Sequence, residues 1–397
     1  MTSSIVRAEE GGPSGMSEKD VLLAVDRVRP VLERHREAAE QERRLSDAAM
    51  AALRAEGFFK LWLPREQGGV ELELLPYLAT VEELSRIDSA AGWIFANGAT
   101  AAAQAAFLTD AVAREVFGDG VFTAGSVMPR GRAVPEAGGF RVSGRWPLVS
   151  GCHHAAWIFV NTVVFDGDAP RIGEEGMPDF RLACVPAAEA KILDTWYSTG
   201  MRGTGSADVV VEDVFVPEER TFGLFTAQSR IDRPLYRLRI EQQFLTALAN
   251  VGLGIARSAI DSFVALAKEK TPTLSQTALG SRPAVHAEVA KAEAWYQSAR
   301  AYLHEVAGRM WDEVSAGTPI SEETEARRRL ACVNAAEACE QVVDSMFRLA
   351  GTSAIYAGQK LDRCLRDIHT VNQHLAVSPV WWEKTGQFYF GQGLGMP

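Results

Sequence analysis

Residues 144–157 read GRWPLVSGCHHAAW. A glycine, a tryptophan, a lone serine followed by glycine, and a histidine pair run straight into the strand-forming segment AWIFVNTVVF (156–165). Three chemistries could use such a stretch: a metal site, a hydrolase nucleophile with its base, or the wall of a cofactor pocket. A metal would need Cys152, His153 and His154 to converge, but neighbours in an extended chain point to opposite faces, and the spacing matches no HExxH or Cys/His zinc pattern. No metal is therefore expected. Ser150 lacks a GxSxG elbow, since its surroundings are Leu-Val-Ser-Gly-Cys. GTGSAD (203–208) fails as a dinucleotide turn, because the third glycine is missing and a strand, VVVEDVFV, follows where a helix should. The cofactor wall remains. Small hydroxyls beside glycines at the ends of buried strands let a flat ring approach the backbone while its edge is hydrogen-bonded. TAGSVMP (123–129), LVSG (148–151) and MRGTGS (201–206) supply three such clusters.

Outward from this stretch, residues 120–220 are dense in Gly, Pro and β-branched residues, with strand candidates GGFRVSG, AWIFVNTVVF, FRLACVP and ADVVVEDVFVP. Two of these runs are apolar on both faces, which suits strands covered on both sides. Before them, Val21, Leu22, Val25, Val28, Val31 and Leu32 recur at helical spacing. Ser46 and Asp47 form an N-cap signal with Gly57 as the stop, and a helical reading continues from Leu74 to Phe117. After Tyr236 the pattern predicts helices at 240–268, 284–316, 321–350 and 360–376. The expected organisation is a disordered tail (1–16), an N-terminal helical domain (17–120), a central β-domain (121–225) and a C-terminal helical domain (236–397). Segregated helices and strands make this an α+β chain, mostly α.

Composition narrows the partners. The 397 residues carry a net charge of −10 and no Lys/Arg-rich block, so neither nucleic acid nor an anionic membrane is expected. No apolar run approaches a membrane span, and the N-terminus has no apolar signal core, so a cytoplasmic protein is expected. The five cysteines include no CxxC pair and read as reduced thiols.

Several ordered motifs resemble the acyl-CoA dehydrogenase superfamily over roughly residues 17–395. They are GFFKLWLPREQGGVEL and VEELSRIDSAAGW in the first helices, FRVSGRWPLVSG and GMRGTGSADVVVEDVFVP in the β-region, and LDRCLRDIHTVNQH near the end. The resemblance implies an N-terminal helical domain, a central β-barrel-like domain and a C-terminal four-helix bundle, in a homotetramer with flavin between domains. The dehydrogenases' catalytic glutamate falls on Leu375, which cannot be a base. Their flavin-stacking tryptophan falls on Leu148, their flavin-contacting threonine falls on Ser150, and their RxxFG flavin clamp is absent. These departures resemble the two-component flavin-dependent monooxygenase branch, which takes reduced FMN or FAD from a separate NAD(P)H:flavin reductase and uses O2 to oxygenate a small organic substrate, aromatic or natural-product-like.

That resemblance implies a site. Ser150 would lie near flavin N5, with Ser126, Leu148, Arg202, Thr204, Ser206 and Gly351 also on the cofactor, and Arg348 of FRLAGTSA reaching across a subunit interface. His374, and secondarily His369, would take the substrate proton. Trp93, Asn97 and Trp381 would line the substrate pocket, with Phe95 and Trp382 as further apolar wall. Relatives acting on phenols often carry a histidine near Asn97, and its absence here points away from a simple phenol. Arg366 and Asp367 read as a structural ion pair. Two rivals stay open: a dehydrogenase-type flavoenzyme with a relocated base, and a non-catalytic scaffold of the same fold. Titration with oxidised and reduced flavin separates them.

Overall fold

The computed structural model describes residues 17–173, 176–273 and 275–395; the tail expected at 1–16 lies outside the described residues. Five helices come first: α1 (Glu18–Glu42), α2 (Asp47–Ala55), α3 (Leu74–Ile87), α4 (Ser89–Ala103) and α5 (Asp110–Phe117). Their starts are encoded locally. Ser17 and Asp20 form a reciprocal capping box on α1, and Ser46 accepts the Ala49 N–H to begin α2. Asp88 caps α4 by accepting from Ala91 N, and α4 is buried along almost its whole length. That helix is the central pillar on which the site is built.

Eight strands follow: β1 (Thr123–Glu136), β2 (Gly139–Val149), β3 (Trp157–Asp166), β4 (Ala169–Pro170), β5 (Phe180–Pro186), β6 (Lys191–Leu193), β7 (Ala207–Pro217) and β8 (Thr221–Gly223). They form one sheet in the order β6-β7-β2-β1-β3-β5-β8, with β4 beside β3; β1 and β3 are parallel and the other pairs antiparallel. The GRW motif explains how β1 and β2 meet. Gly131 and Gly144 stand opposite each other, and the fully buried Trp146 ring lies across them, donating from Nε1 to Asn161 O at 2.7 Å. A Cβ on Gly131 would lie 2.1 Å from that ring, so only glycine fits.

The chain closes with α6 (Pro234–Arg237), α7 (Ile240–Glu269), α8 (Pro283–Ser315), α9 (Glu322–Ala350), α10 (Lys360–Val371) and α11 (Val380–Tyr389). α7 packs against α9, α10 and α8, and also against α3 and α4, so it joins the two helical layers. Three of the four long helices agree with the sequence periodicity to within a residue or two at each end. The fourth does not: α10 stops at Val371, and His374 instead caps a separate short turn, Leu375–Val377. Its ring accepts the Ala376 N–H, which competes with continuing the helix.

Candidate active site

β2 and β7 pair Trp146 with Val209 and then Val149 with Ala207, so β2 carries one extra residue at its end. The bulge places Leu148 in the left-handed region (φ 60°), 56% exposed. Three residues on, Gly151 (φ 73°) turns the chain under Phe122, where a Cβ would come within 2.6 Å of the ring, and its N–H donates to Thr204 O at 2.8 Å. The bulge and the turn together hold Ser150, 5% exposed, against the loop 201–206.

There a chain of hydroxyls forms. Trp93 of α4 donates from Nε1 to Ser150 Oγ at 2.9 Å; Ser150 Oγ lies 2.8 Å from Ser206 Oγ, and Ser206 Oγ lies 2.7 Å from Thr204 Oγ1. Thr204 Oγ1 donates to Met201 O at 2.8 Å. Asn97, one turn along α4, donates to Trp93 O. The His374 ring meets the Trp93 ring edge-on at 5.8 Å and the Phe244 ring of α7 at the same distance. Burial pushes the His374 imidazole down to about 4, so it is neutral near pH 7. Because Nδ1 accepts from Ala376 N at 3.0 Å, the ring proton sits on Nε2.

Ser150, Thr204, Ser206, Trp93, Asn97 and His374 are therefore brought together, with Leu148 beside them. Ser126 lies at an irregularity in β1, where its Oγ accepts from Met128 N and Asn161 holds Val127 O at 2.7 Å. Other expected site residues are placed elsewhere. Arg202 donates to Glu40 O and Ser198 O, so its guanidinium is spent on backbone carbonyls. Arg348 is exposed near the end of α9, 3.7 Å from Asp344, and Gly351 follows that helix; among the described residues no hydrogen bond joins either to Ser150. His369 faces Asp344 at 3.0 Å and Glu340 at 3.7 Å on the outside of α9 and α10. These three groups are close enough to share an ion, and each ring nitrogen faces a different carboxylate. Trp381 is buried under Arg329 and donates to Leu375 O.

Several expectations are corrected. Phe95 is fully buried between Phe58 and Tyr77 in the core, and Trp382 reaches out to Glu337, so neither is pocket wall. Cys152–His154 is a tight 3₁₀ turn where extended chain was expected. Its histidines separate all the same, His154 bonding to Leu45 O while His153 is exposed. Asp367 does not pair with Arg366, which binds Asp362 and Glu40 instead. Asp367 points inward, accepting from Ser89 Oγ and from Met201 N, and burial raises its carboxyl to about 6. Neither Phe244 nor the Asp367 tie was anticipated. A buried Asp next to an arginine looks like a surface pair in sequence, and only the inward face of α10 shows otherwise.

Two family models match the chain, the acyl-CoA dehydrogenase N-terminal domain over residues 23–117 and the C-terminal domain over residues 246–379. The indole-3-acetate monooxygenase of Pseudomonas putida is 34% identical over 89% of this chain and 89% of its own. This chain belongs to the flavin-dependent monooxygenases of the acyl-CoA dehydrogenase fold. The crystal structure of the HsaA monooxygenase from Mycobacterium tuberculosis superposes on this monooxygenase with a TM-score of 0.87 at 26% identity, covering 96% of this chain and 99% of that one. The XiaF structure from Streptomyces, in complex with FADH2 and glycerol, shares the fold at a TM-score of 0.89 and 24% identity, over 96% and 97% of the two chains. The monooxygenase uses reduced flavin and O2, with a small-molecule substrate and a separate reductase. Among its described residues no helix is long and apolar enough to cross a membrane.

The residues present fit a flavin. Ser150 offers a hydroxyl oxygen with a lone pair not used by Trp93 or Ser206, and Leu148 offers an exposed apolar face beside it, held there at a positive φ. A non-glycine residue kept in this region costs of order 1–3 kcal/mol and persists where the surrounding structure demands it.

Proposed function

We propose that this monooxygenase oxygenates an electron-rich aromatic of the indole class, bound between Trp93, Phe244 and His374 and facing Ser150. One observation carries the reading: two aromatic rings flank the half-buried His374 on the side where Trp93 reaches Ser150. Aromatic edges and faces are complementary to a flat π-system. The indole-3-acetate activity of the Pseudomonas putida relative, and an asparagine at residue 97, support an indole over a phenol.

When bound, reduced flavin would supply the two electrons that activate O2, one atom of which goes to the substrate and the other to water. The chain's own residues do the rest. Ser150 holds the ring edge, with Leu148 against its face, Ser126 as polar lining, and Thr204 and Ser206 behind Ser150. Trp93 and Phe244 exclude water from the reacting face. His374 presents an Nε2–H donor, so it orients an acceptor group of the substrate; proton uptake by Nδ1 would first require giving up the Ala376 bond.

We also propose that the stretches 17–120, 121–225 and 236–397 act as domains whose seam holds the flavin, in a homotetramer in which Arg348 and Gly351 serve a neighbouring subunit's site. Tyr389 (63% exposed) and Phe390 (85%) near the chain end leave apolar surface that a second copy would cover. Five free, buried cysteines are consistent with work in the cytoplasm.

The test is turnover with a flavin reductase, NADH and either indole-3-acetate or 4-hydroxyphenylacetate. An oxygenated indole product formed with little hydrogen peroxide is the expected result. Coupled hydroxylation of the phenol alone would overturn the substrate assignment, and a monomer in light scattering that still binds flavin would overturn the tetramer.

A further inference from the structure

The hydroxyl chain at Ser150 has a direction. Met201 O can only accept, so the single proton of the Thr204 hydroxyl, 2.8 Å away, must point at it. Thr204 Oγ1 then has only lone pairs to offer Ser206, 2.7 Å away, and Ser206 must donate to Thr204. Ser206 in turn has only lone pairs left for Ser150, 2.8 Å away, so Ser150 must donate to Ser206. From the other side the Trp93 indole N–H, which can only donate, points at Ser150 Oγ. Ser150 has therefore used its one proton and one of its two lone pairs. All three hydroxyl residues are buried, at 5%, 2% and 5% exposure for Ser150, Thr204 and Ser206, so no bulk water can reorder them freely.

We infer that Trp93, Ser206 and Thr204 lock Ser150 as an acceptor-only group, and that this lock makes the site discriminate between the two redox states of flavin. The inference rests on the proposed placement of Ser150 at the flavin N5 edge. Reduced flavin carries a hydrogen on N5 and can donate to the remaining lone pair. Oxidised flavin has a lone pair at N5, and two lone pairs facing each other repel. Thr204 and Ser206 are thus positioning residues that act through Ser150. For an enzyme supplied by a separate reductase, the consequence is capture of the reduced flavin and release of the oxidised one.

Thr204→Val is nearly isosteric and removes the proton's fixed destination, while Met201 O keeps the bond from the backbone N–H of residue 204. Ser206 can then donate to Ser150, which frees the Ser150 proton to point outward as a donor. Ser206→Ala frees it as well, and Thr204→Ser retains the original direction. Binding of oxidised FMN and FAD by fluorescence, and of the same flavins reduced with dithionite under nitrogen, gives the ratio of affinities. The wild type should favour reduced flavin. Thr204→Val and Ser206→Ala should narrow that preference by about three- to tenfold, the worth of one net hydrogen bond, chiefly by tightening oxidised flavin, and Thr204→Ser should restore it. Near-UV circular dichroism verifies folding, and Ser206→Ala carries the test if Thr204→Val does not fold. If both variants keep the wild-type ratio while Ser150→Ala changes it, the lock is wrong and the placement of Ser150 stands. If Ser150→Ala leaves both affinities unchanged, the placement itself fails and takes the lock with it.

Discussion

The Asp367 carboxylate accepts the backbone N–H of Met201 at 2.5 Å, tying α10 to the loop that supports Ser150. Met201 sits at a positive φ of 52°, and its carbonyl is the end-point of the hydroxyl chain. The same carboxylate accepts from Ser89 at the start of α4, the helix that carries Trp93. One buried side chain therefore connects three separate stretches of the sequence next to the site.

Removing that connection should cost stability and loosen the site together. Asp367→Ala leaves the Met201 N–H and the Ser89 hydroxyl without their partner in a buried setting, at about 1–3 kcal/mol per unsatisfied group. We expect a clear drop in the urea midpoint and weaker binding of reduced flavin. Asp367→Asn keeps one carbonyl acceptor and should fall between the two. A variant with a wild-type midpoint would show that the bonds contribute nothing.

Acid should destabilise the protein between about pH 6.5 and 4, and His374 should account for part of it. His374 and His304 are both held down to about 4 by burial, with the Arg300 charge adding to the effect at His304. A depressed imidazole contributes stability that is present above the unfolded value near 6.5 and lost as pH falls towards the folded value. Asp367 has the opposite sign, since its raised carboxyl contributes stability that is present below about 3.8 and lost as pH rises through about 6. Two histidines outweigh one carboxyl, so the net slope follows the histidines. His374→Gln should remove roughly 3 kcal/mol of the pH-dependent part, read from denaturant midpoints at pH 7.5 and 4.5.

The same imidazole makes a kinetic prediction. A neutral His374 whose proton is fixed on Nε2 leaves product formation flat from pH 6 to 8, with no inflection near 6.5 belonging to this residue. His374→Ala should preserve reduced-flavin binding, lower product yield and raise hydrogen peroxide, because the substrate loses its orienting donor. An inflection near 6.5 that disappears in the variant would instead make His374 a titrating base.

Leu148→Gly should separate stability from function. Glycine occupies the left-handed region without the Cβ clash, a relief of about 1–2 kcal/mol, against about 0.5–1 kcal/mol of added chain entropy in the unfolded state. Little burial is lost, because Leu148 is more than half exposed. The variant should melt at or slightly above the wild-type temperature while binding flavin more weakly. Equal flavin affinity would remove Leu148 from the cofactor wall.

Gly144→Ala probes the fold itself. Its Cβ would lie 2.7 Å from both Gly131 Cα and the Trp146 ring, with backbone on one side and a fully buried ring on the other. Overpacking of this kind costs about 1–3 kcal/mol, and more where nothing can shift. We expect a lower thermal midpoint with loss of near-UV tryptophan signal, and an unchanged melt would mean that the sheet can spread.

The sequence by itself determined what depends on near neighbours: the periods of the helices and strands, the caps at Ser17 and Ser46, the absence of a nucleophile elbow, and motifs ordered closely enough to mark Ser150. Periodicity and capping are interactions over a few residues, so they are written locally. Only the tertiary structure decided which groups share a hydrogen bond across the chain. Trp93 and Ser150 are 57 positions apart, Asp367 and Met201 166, and nothing in either local pattern requires them to meet. Arg202 and Arg366 looked free to grip a phosphate or an adjacent aspartate, but folding presented each with nearer carbonyls or carboxylates. His374 was legible as a candidate, yet its protonation is set by burial and by the Ala376 N–H after α10 stops short. Proton positions follow from which donors and acceptors converge, and convergence is a property of the folded chain.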